Sequence, residues 1–403
     1  MVKILRKAYI NFKNIDKGLF ISSLILATLG IIMVLTSSSI FAGLSAESNY
    51  NSFYYVTKQA VAIIASLIGC SFALAIIKSD DYDLFAVIGM VLCAIMSAGK
   101  LIQGQITSGI AEVTLDLGFT TIQPAEFFKI LFVVYLGCFF GKWVKKEESR
   151  KKNASLIMPI LCCGFPILFV VLGGDLGSAA ILTAITGIMV LFVPTENKII
   201  KNCKILITAG LIVSMSILLF AHYFIDKKDL SPGSRLERLL YNDPCYENYL
   251  DIGYQTCNGY IAIDNGGLFG VGFSKSTQKY LYLTHSHTDF IFPIIVEELG
   301  IIGGLCIILL YMYIIYRIFK ISSNCLSLKN SLICFGIGLY IFIQVAVNLG
   351  GVLAIFPLTG VPLPLLSYGG SNCLATFIGF TIVQTICAET KIEKKKKLVK
   401  KAK

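Results

Sequence analysis

A few ionisable side chains stand inside or beside long apolar runs, where each costs free energy to place and so marks a pathway, a partner or a site. Asp289 lies in HSHTDF beside His285 and His287, where a long mixed segment gives way to an apolar run. A carboxylate at such an entrance is reachable from water yet partly desolvated, which suits it to take a proton from a weakly acidic hydroxyl. Two His and one Asp from one stretch lack the spacing of a zinc motif, so metal ligation is the weaker reading. Arg235 and Arg238, earlier in the same segment, suit an anionic phosphate, against the plainer reading of a solvated loop face. Glu126 and Lys129 are three apart, close enough on a helix to pair, and read equally as a neutralised structural pair or as part of a site. Asp175, in GGDLGS, either caps a helix beginning at Leu176 or touches substrate, and the two roles are compatible. Glu297 and Glu298 lie deeper in the run after Asp289, where at least one is expected to pair internally. Gln344 and Asn348, one turn apart, read first as a joint between helices. No P-loop, GxGxxG unit, GxSxG elbow or CxxC framework is present.

The elements that must position these groups are membrane spans. Of 403 residues 56% are hydrophobic and 15% charged, with a mean hydropathy of +0.76, whereas soluble domains carry about a quarter charged residues. The excess falls in runs that reach or approach the roughly 20 residues needed to cross a hydrocarbon core. Ten spans are expected, at about 19–41, 60–77, 84–103, 121–141, 155–173, 176–194, 205–224, 289–316, 331–352 and 372–388. The fold class is therefore all-α, a single polytopic membrane domain over 1–403. The first run is too long for the apolar part of a cleaved signal and is expected to serve as the first span. One connection stands apart, 225–288, a large loop between the seventh and eighth spans; its NGGLFGVGF stretch (265–273) predicts turns and close backbone approach. A second segment, FPLTGVPLPLLSYGGSN (356–372), is rich in Pro and Gly yet apolar. Such backbone at membrane depth survives only where protein or a water-filled cavity surrounds it.

The net charge of +11 follows this topology. With a cytoplasmic start, 26 of the 35 Lys and Arg residues face the cytoplasm, as the positive-inside rule requires. Both termini, the arm 1–18 and the basic tail 389–403, are then cytoplasmic, and the 225–288 loop is outside. The tail reads as an anchor on anionic membrane lipids; no nucleic acid partner is expected. Cys245 and Cys257 share the outer loop, and a disulfide or two free thiols both remain open.

These motifs stand in an order that resembles the SEDS family (shape, elongation, division and sporulation) of bacterial membrane glycosyltransferases along nearly the whole chain. The carriers are IIMVLTSSS (31–39), IQPAEFFK (122–129), GGDLGSA (173–179), RLLYNDP (238–244), GYQ (253–255), IAIDNGGLFGVG (261–272), HTDFIFPIIVEELG (287–300) and the 356–372 segment. The first and last look more like the FtsW-like division branch, or its sporulation relative, than the RodA-like elongation branch. Two departures are visible: LTHSHTDF has Thr284 and His285 where the family has Pro and Glu, and GIAEVTLDLG (109–118) lacks the Arg and Trp of GAxRW.

The resemblance implies polymerisation of lipid II into peptidoglycan glycan strands at the outer face of the bacterial cytoplasmic membrane, alongside a class B penicillin-binding protein. It implies Asp289 as general base, and Glu126, Lys129, Asp175, Arg235, Arg238, His287, Glu297, Glu298, Ser367, Tyr368, Gly369 and Gly370 as substrate-binding residues. A divalent cation, Mg or Mn, is expected to help neutralise the diphosphate leaving group. Two other classes compete: a transporter that flips a lipid-linked precursor, and a non-catalytic scaffold for the synthase. A transport path needs polar groups across the membrane, whereas most of these gather on one side.

Overall fold

The computed structural model describes residues 10–45, 48–107, 115–116, 121–149, 176–194, 253–280, 282–283, 286–353, 355 and 360–401, with isolated positions between 163 and 245. It is all-helical apart from a two-residue antiparallel ladder, β1 (Leu115–Asp116) with β2 (Thr121–Ile122). In chain order the main helices are α1 (Lys17–Leu44), α2 (Tyr54–Ile76), α3 (Tyr82–Thr107), α4 (Pro124–Ser149), α5 (Leu176–Phe192), α6 (Tyr254–Gly266), α7 (Ile291–Ser323), α8 (Leu328–Val352) and α9 (Gly370–Lys401). Among the described residues α1, α2, α4, α7, α8 and α9 are long and apolar enough to cross a membrane, and α5 is a shorter apolar helix. The expected spans 155–173 and 205–224 fall mostly outside the described residues.

Several helices begin and end for identifiable local reasons. Asp16 caps α1 by accepting from the Leu19 N–H at 2.9 Å, and its carboxylate also takes the Arg317 guanidinium at 2.5 Å. Glu389 on α9 receives the Ser79 hydroxyl at 2.5 Å in the turn before α3. Helix α9 runs on through the basic stretch to Lys401, so the segment read as a tail from 389 is a helical extension. Lys and Glu are good helix formers, and Lys391 and Lys395 reach back to Ile15 O and Asn14 Oδ1 at 3.0 Å. Cys245 and Cys257 are joined by a disulfide, which resolves the pairing that composition left open.

The largest correction concerns the eighth span. It is read from hydropathy as one helix over 289–316, but α7 breaks at Gly300 (φ 75°, ψ 175°). A Cβ at Gly304 would lie 2.8 Å from Val296 Cγ2 and 3.2 Å from Phe292 Cζ. In a continuous helix those residues would be roughly 12 and 18 Å away along the axis. The chain therefore folds back as a hairpin, a short arm 291–299 packed against a long arm 301–323.

The apex of this hairpin exposes two helix termini at once, and residues 267–272 satisfy both. Val271 N and Gly272 N donate to the last carbonyls of the short arm, Glu297 O (2.9 Å) and Glu298 O (3.1 Å). Gly267 O and Leu268 O accept from the first amides of the long arm, Ile301 N (2.9 Å) and Ile302 N (3.3 Å). Termini left bare in an apolar setting would each strand several polar groups. Only glycine fits the crossing: Cβ atoms at Gly270 and Gly300 would lie 2.3 Å from Glu298 O and 2.2 Å from Leu268 O, and both have positive φ. That is the structural work of the NGGLFGVG stretch.

The core joins α4, α8 and α9, with Phe132, Ile333, Tyr340 and Ile386 fully buried. The short arm belongs to it as well, through Ile291 and Ile295, in one cluster with Leu363 and Leu365 of the Pro-rich segment.

Candidate active site

The short arm starts just after the candidate base. Asp289 lies one residue before Phe290, which N-caps α7, and its backbone is held from α8: Asn348 Nδ2 donates to Asp289 O at 3.0 Å and to Val361 O at 2.7 Å. One amide thus ties the HTDF segment to the Pro- and Gly-rich segment. The carboxylate faces that segment too, since a Cβ at Gly360 would sit 3.3 Å from Asp289 Oδ2. Asp289 is half-buried, so its side chain is partly desolvated and still reachable.

Residues 360–369 carry irregular backbone among helices, and neighbours satisfy it point by point. Tyr311 Oη donates to Pro364 O at 2.7 Å and Gln344 Nε2 to Pro362 O at 3.2 Å. Gln59, fully buried on α2, donates to Ser367 O at 3.2 Å and accepts from Gly369 N at 3.1 Å. Ser367 Oγ accepts from Leu363 N at 2.9 Å. These are the partners that non-helical backbone at membrane depth requires.

His287 and Tyr368 lock the two segments together. Tyr368 N donates to His287 O at 2.8 Å. The buried imidazole packs on Tyr55 (ring centroids 4.6 Å), Phe41 (5.7 Å) and Tyr368 (5.7 Å). Ser286 Oγ reaches Ser37 O at 3.2 Å in the TSSS stretch of α1. Gly370 opens α9 directly behind this contact.

Glu126 and Lys129 form a second layer. They pair at 2.8 Å with 3% and 1% of their side chains exposed. Tyr340 Oη stands 3.5 Å from Glu126 Oε2, and the ammonium lies 5.8 Å from the Tyr340 ring centroid. Ser371 Oγ accepts from Gln123 N at 3.0 Å, so the QPAE and YGGS motifs touch. Most of the charge on Lys129 is spent on its neighbour, since a buried pair is neutralised from within.

Glu297 and Glu298 lie at the other end of the short arm, by the apex. Glu297 accepts from Thr277 N (2.9 Å), Thr277 Oγ1 (2.8 Å), Gln278 N (3.3 Å) and the Ser276 hydroxyl. Glu298 pairs with Lys279 at 3.0 Å, both side chains almost wholly buried. These two carboxylates pin residues 274–279 onto the hairpin, away from the Asp289 end. Asp175, Arg235, Arg238 and His285 lie outside the described residues. Among the described residues no group of three or more His, Cys, Asp or Glu stands ready to hold a metal ion.

Gln59 is a site residue that sequence reasoning missed, and Gln344 and Asn348 are two that it read only as a joint between helices. Their signal was present: an amide in an apolar span needs a partner, and here irregular backbone supplies it, while Gln344 also joins α8 to α9 as expected by donating to Asn372 Oδ1 at 3.2 Å.

The family model for the FtsW, RodA and SpoVE cell cycle proteins matches residues 17–392. Among curated relatives, a probable peptidoglycan glycosyltransferase FtsW of Bacillus subtilis is 31% identical, covering 96% of this chain and 93% of its own. Stage V sporulation protein E of the same organism is 32% identical over 89% and 92%. Among solved structures, a chain of a peptidoglycan synthase complex superposes with a TM-score of 0.68 at 22% identity, over 93% of this chain and 98% of that one. The rod shape determining protein RodA of Thermus thermophilus follows at 0.62 and 21%, over 93% and 96%.

Proposed function

Because this chain belongs to the FtsW/RodA/SpoVE cell cycle protein family, we propose that it is a peptidoglycan glycosyltransferase that polymerises lipid II into glycan strands. The 31% and 32% identities to a division and a sporulation protein of Bacillus subtilis favour one of those two roles. The topology that goes with this function has both termini in the cytoplasm and Asp289 opening toward the outer leaflet of the bacterial cytoplasmic membrane. The distribution of Lys and Arg supports it. A class B penicillin-binding protein is the partner expected, by analogy with the peptidoglycan synthase complex that shares the fold.

The reaction is attack by the 4-hydroxyl of an acceptor sugar on C1 of the donor, forming the new glycosidic bond and expelling the polyprenyl diphosphate with inversion. A sugar hydroxyl is a poor nucleophile at neutral pH. A carboxylate that takes its proton in the transition state contributes roughly 10²- to 10⁴-fold. The observation that carries this role is the seat of Asp289: a half-buried carboxylate whose backbone is fixed by Asn348 against the 360–369 segment. In this reading the Pro- and Gly-rich segment walls the sugar site, and His287 with Tyr368 keeps the wall in register. Arg235 and Arg238 are the proposed grip on the diphosphate; Asp175, Ser367, Tyr368, Gly369 and Gly370 are proposed to line the sugar path, and Glu126 with Lys129 to support its floor. Glu297 and Glu298 would act through the loop they hold. A divalent cation, Mg or Mn, would come with the substrate's diphosphate, since such ions commonly bind through one or two carboxylates plus phosphates.

The test is polymerisation of labelled lipid II by purified protein, with and without a class B penicillin-binding protein, for wild type and Asp289→Asn. Strand synthesis should fall at least about 100-fold in the variant, with expression and partner binding unchanged. Normal strands from Asp289→Asn would remove the base role. No strands from wild type with any partner would leave the transporter and scaffold readings standing.

A further inference from the structure

The tip of the apex segment carries an exposed apolar cluster that the catalytic reading does not use. Leu268 is 61% exposed, Phe269 81% and Phe273 54%, with Val271 beside them. Exposed aromatics of this size are unusual on a water-facing loop whose backbone is so firmly held. The hold is firm: the tip bonds to both arms of α7 at the apex, and the segment after it is fixed by Glu297 and by the Lys279–Glu298 pair.

Two further observations identify what covers the cluster. First, it is continuous with the lipid-facing stripe of the long arm. Ile301 N and Ile302 N bond to the tip itself, and Ile301, Ile302, Leu305, Leu309 and Met312 continue as an exposed apolar row. Second, the height is right. Arg317, paired with Asp16 beside Lys17 and Lys320, marks the opposite edge of the span. Ile301 is sixteen residues from Arg317, or about 24 Å along a helix, within a hydrocarbon core of about 30 Å.

We propose that residues 268–273 are a membrane-interface anchor, in which Leu268, Phe269, Val271 and Phe273 insert among lipid chains just below the headgroups of the leaflet opposite the Asp16–Arg317 edge. Aromatic and aliphatic side chains of interfacial elements sit at that depth. The anchor sets the height of the hairpin apex, and with it the depth of Asp289 at the far end of the short arm.

The chain has one tryptophan, Trp143, toward the C-terminal end of α4, which makes a clean reporter available. Trp143→Phe with Phe269→Trp, and separately with Phe273→Trp, would be reconstituted without any partner in phosphatidylcholine and phosphatidylglycerol bilayers. The lipids would carry bromine at the 6,7 or the 11,12 position of one chain. Both reporters replace exposed aromatics with a larger one, so folding should be unaffected, and circular dichroism checks it. Insertion predicts that 6,7-bromine lowers the tryptophan emission of the Phe269→Trp protein at least twofold, more than 11,12-bromine does, while aqueous acrylamide quenches weakly. Strong acrylamide quenching with no response to either brominated lipid, in both reporter proteins, would overturn the anchor and leave the cluster as a water-facing surface for a protein partner.

Discussion

The two ends of the short arm 291–299 carry carboxylates in very different settings, Asp289 at one and Glu297 with Glu298 at the other. At the apex, Glu297 takes hydrogen bonds from several donors of 276–278, and Glu298 is neutralised by a buried lysine. At the other end, Asp289 is half-buried, and the neutral amide of Asn348 holds it by the backbone carbonyl. A carboxylate that anchors its own chain through its oxygens is a structural fixture. Asp289 is positioned through its main chain, with its half-buried carboxylate facing the 360–369 segment. Burial alone would have ranked Glu297 and Glu298 above Asp289, and the nature of the partners reverses that order.

The sharpest way to break this contrast is at the apex. Lys279→Met should strand the Glu298 charge and cost about 3–5 kcal/mol, read as a large drop in melting temperature in detergent. Adding Glu298→Met should restore most of it, because a buried ion pair is often replaceable by apolar side chains. If the single variant melts like wild type, the apex pair is not a structural fixture. At the Asp289 end the expected loss is of activity more than of stability. Asn348→Ala removes the donor to two carbonyls, costing roughly 1–3 kcal/mol. It should lower kcat about 10- to 100-fold through misplacement of the base, with KM for lipid II nearly unchanged. A change in KM alone would mean that Asn348 shapes binding and not the base.

The smallest effect lies far from both ends, at Asp16. Burial raises the affinity of its carboxyl for a proton, but the hydrogen bond and charge of Arg317, the Leu19 N–H and the charge of Lys391 outweigh it, so it titrates below its ordinary 3.8. Its contribution is therefore full above that value and is lost as pH falls through the lower folded value. The pair is partly exposed, so the effect should be on the order of 1 kcal/mol or less. Thermal melts of wild type should lose stability below about pH 4, and Asp16→Asn should flatten that part of the profile.

Much of the fold was legible because hydropathy is local. The runs later seen as α1, α2, α4, α5, α8 and α9 announce themselves residue by residue, with starts shifted by up to six positions and the far ends of α4 and α9 running on by eight and thirteen. The eighth span was misread because both arms of α7 are apolar, and a summed hydropathy cannot register one glycine at positive φ. That the basic tail continues the last helix was not legible because charge dominates there, though the same residues are good helix formers. In the site, HTDF and SYGG were legible as motifs. That Tyr368 bonds His287 across 81 positions, or that Gln59 serves Ser367 across 308, was not.

The amino-acid sequence by itself determined that this chain lives in a membrane, roughly where it crosses, and which polar groups are the exceptions. Hydrophobic transfer is additive along the chain, so composition and order suffice for that much. Only the tertiary structure decided which exceptions satisfy one another. Hydrogen bonds and ion pairs are pairwise, and their partners here lie tens to hundreds of residues apart. Glu126 with Lys129 was a local pair and visible; Glu298 with Lys279, and Asn348 with Asp289, exist only because a helix breaks at Gly300 and folds back.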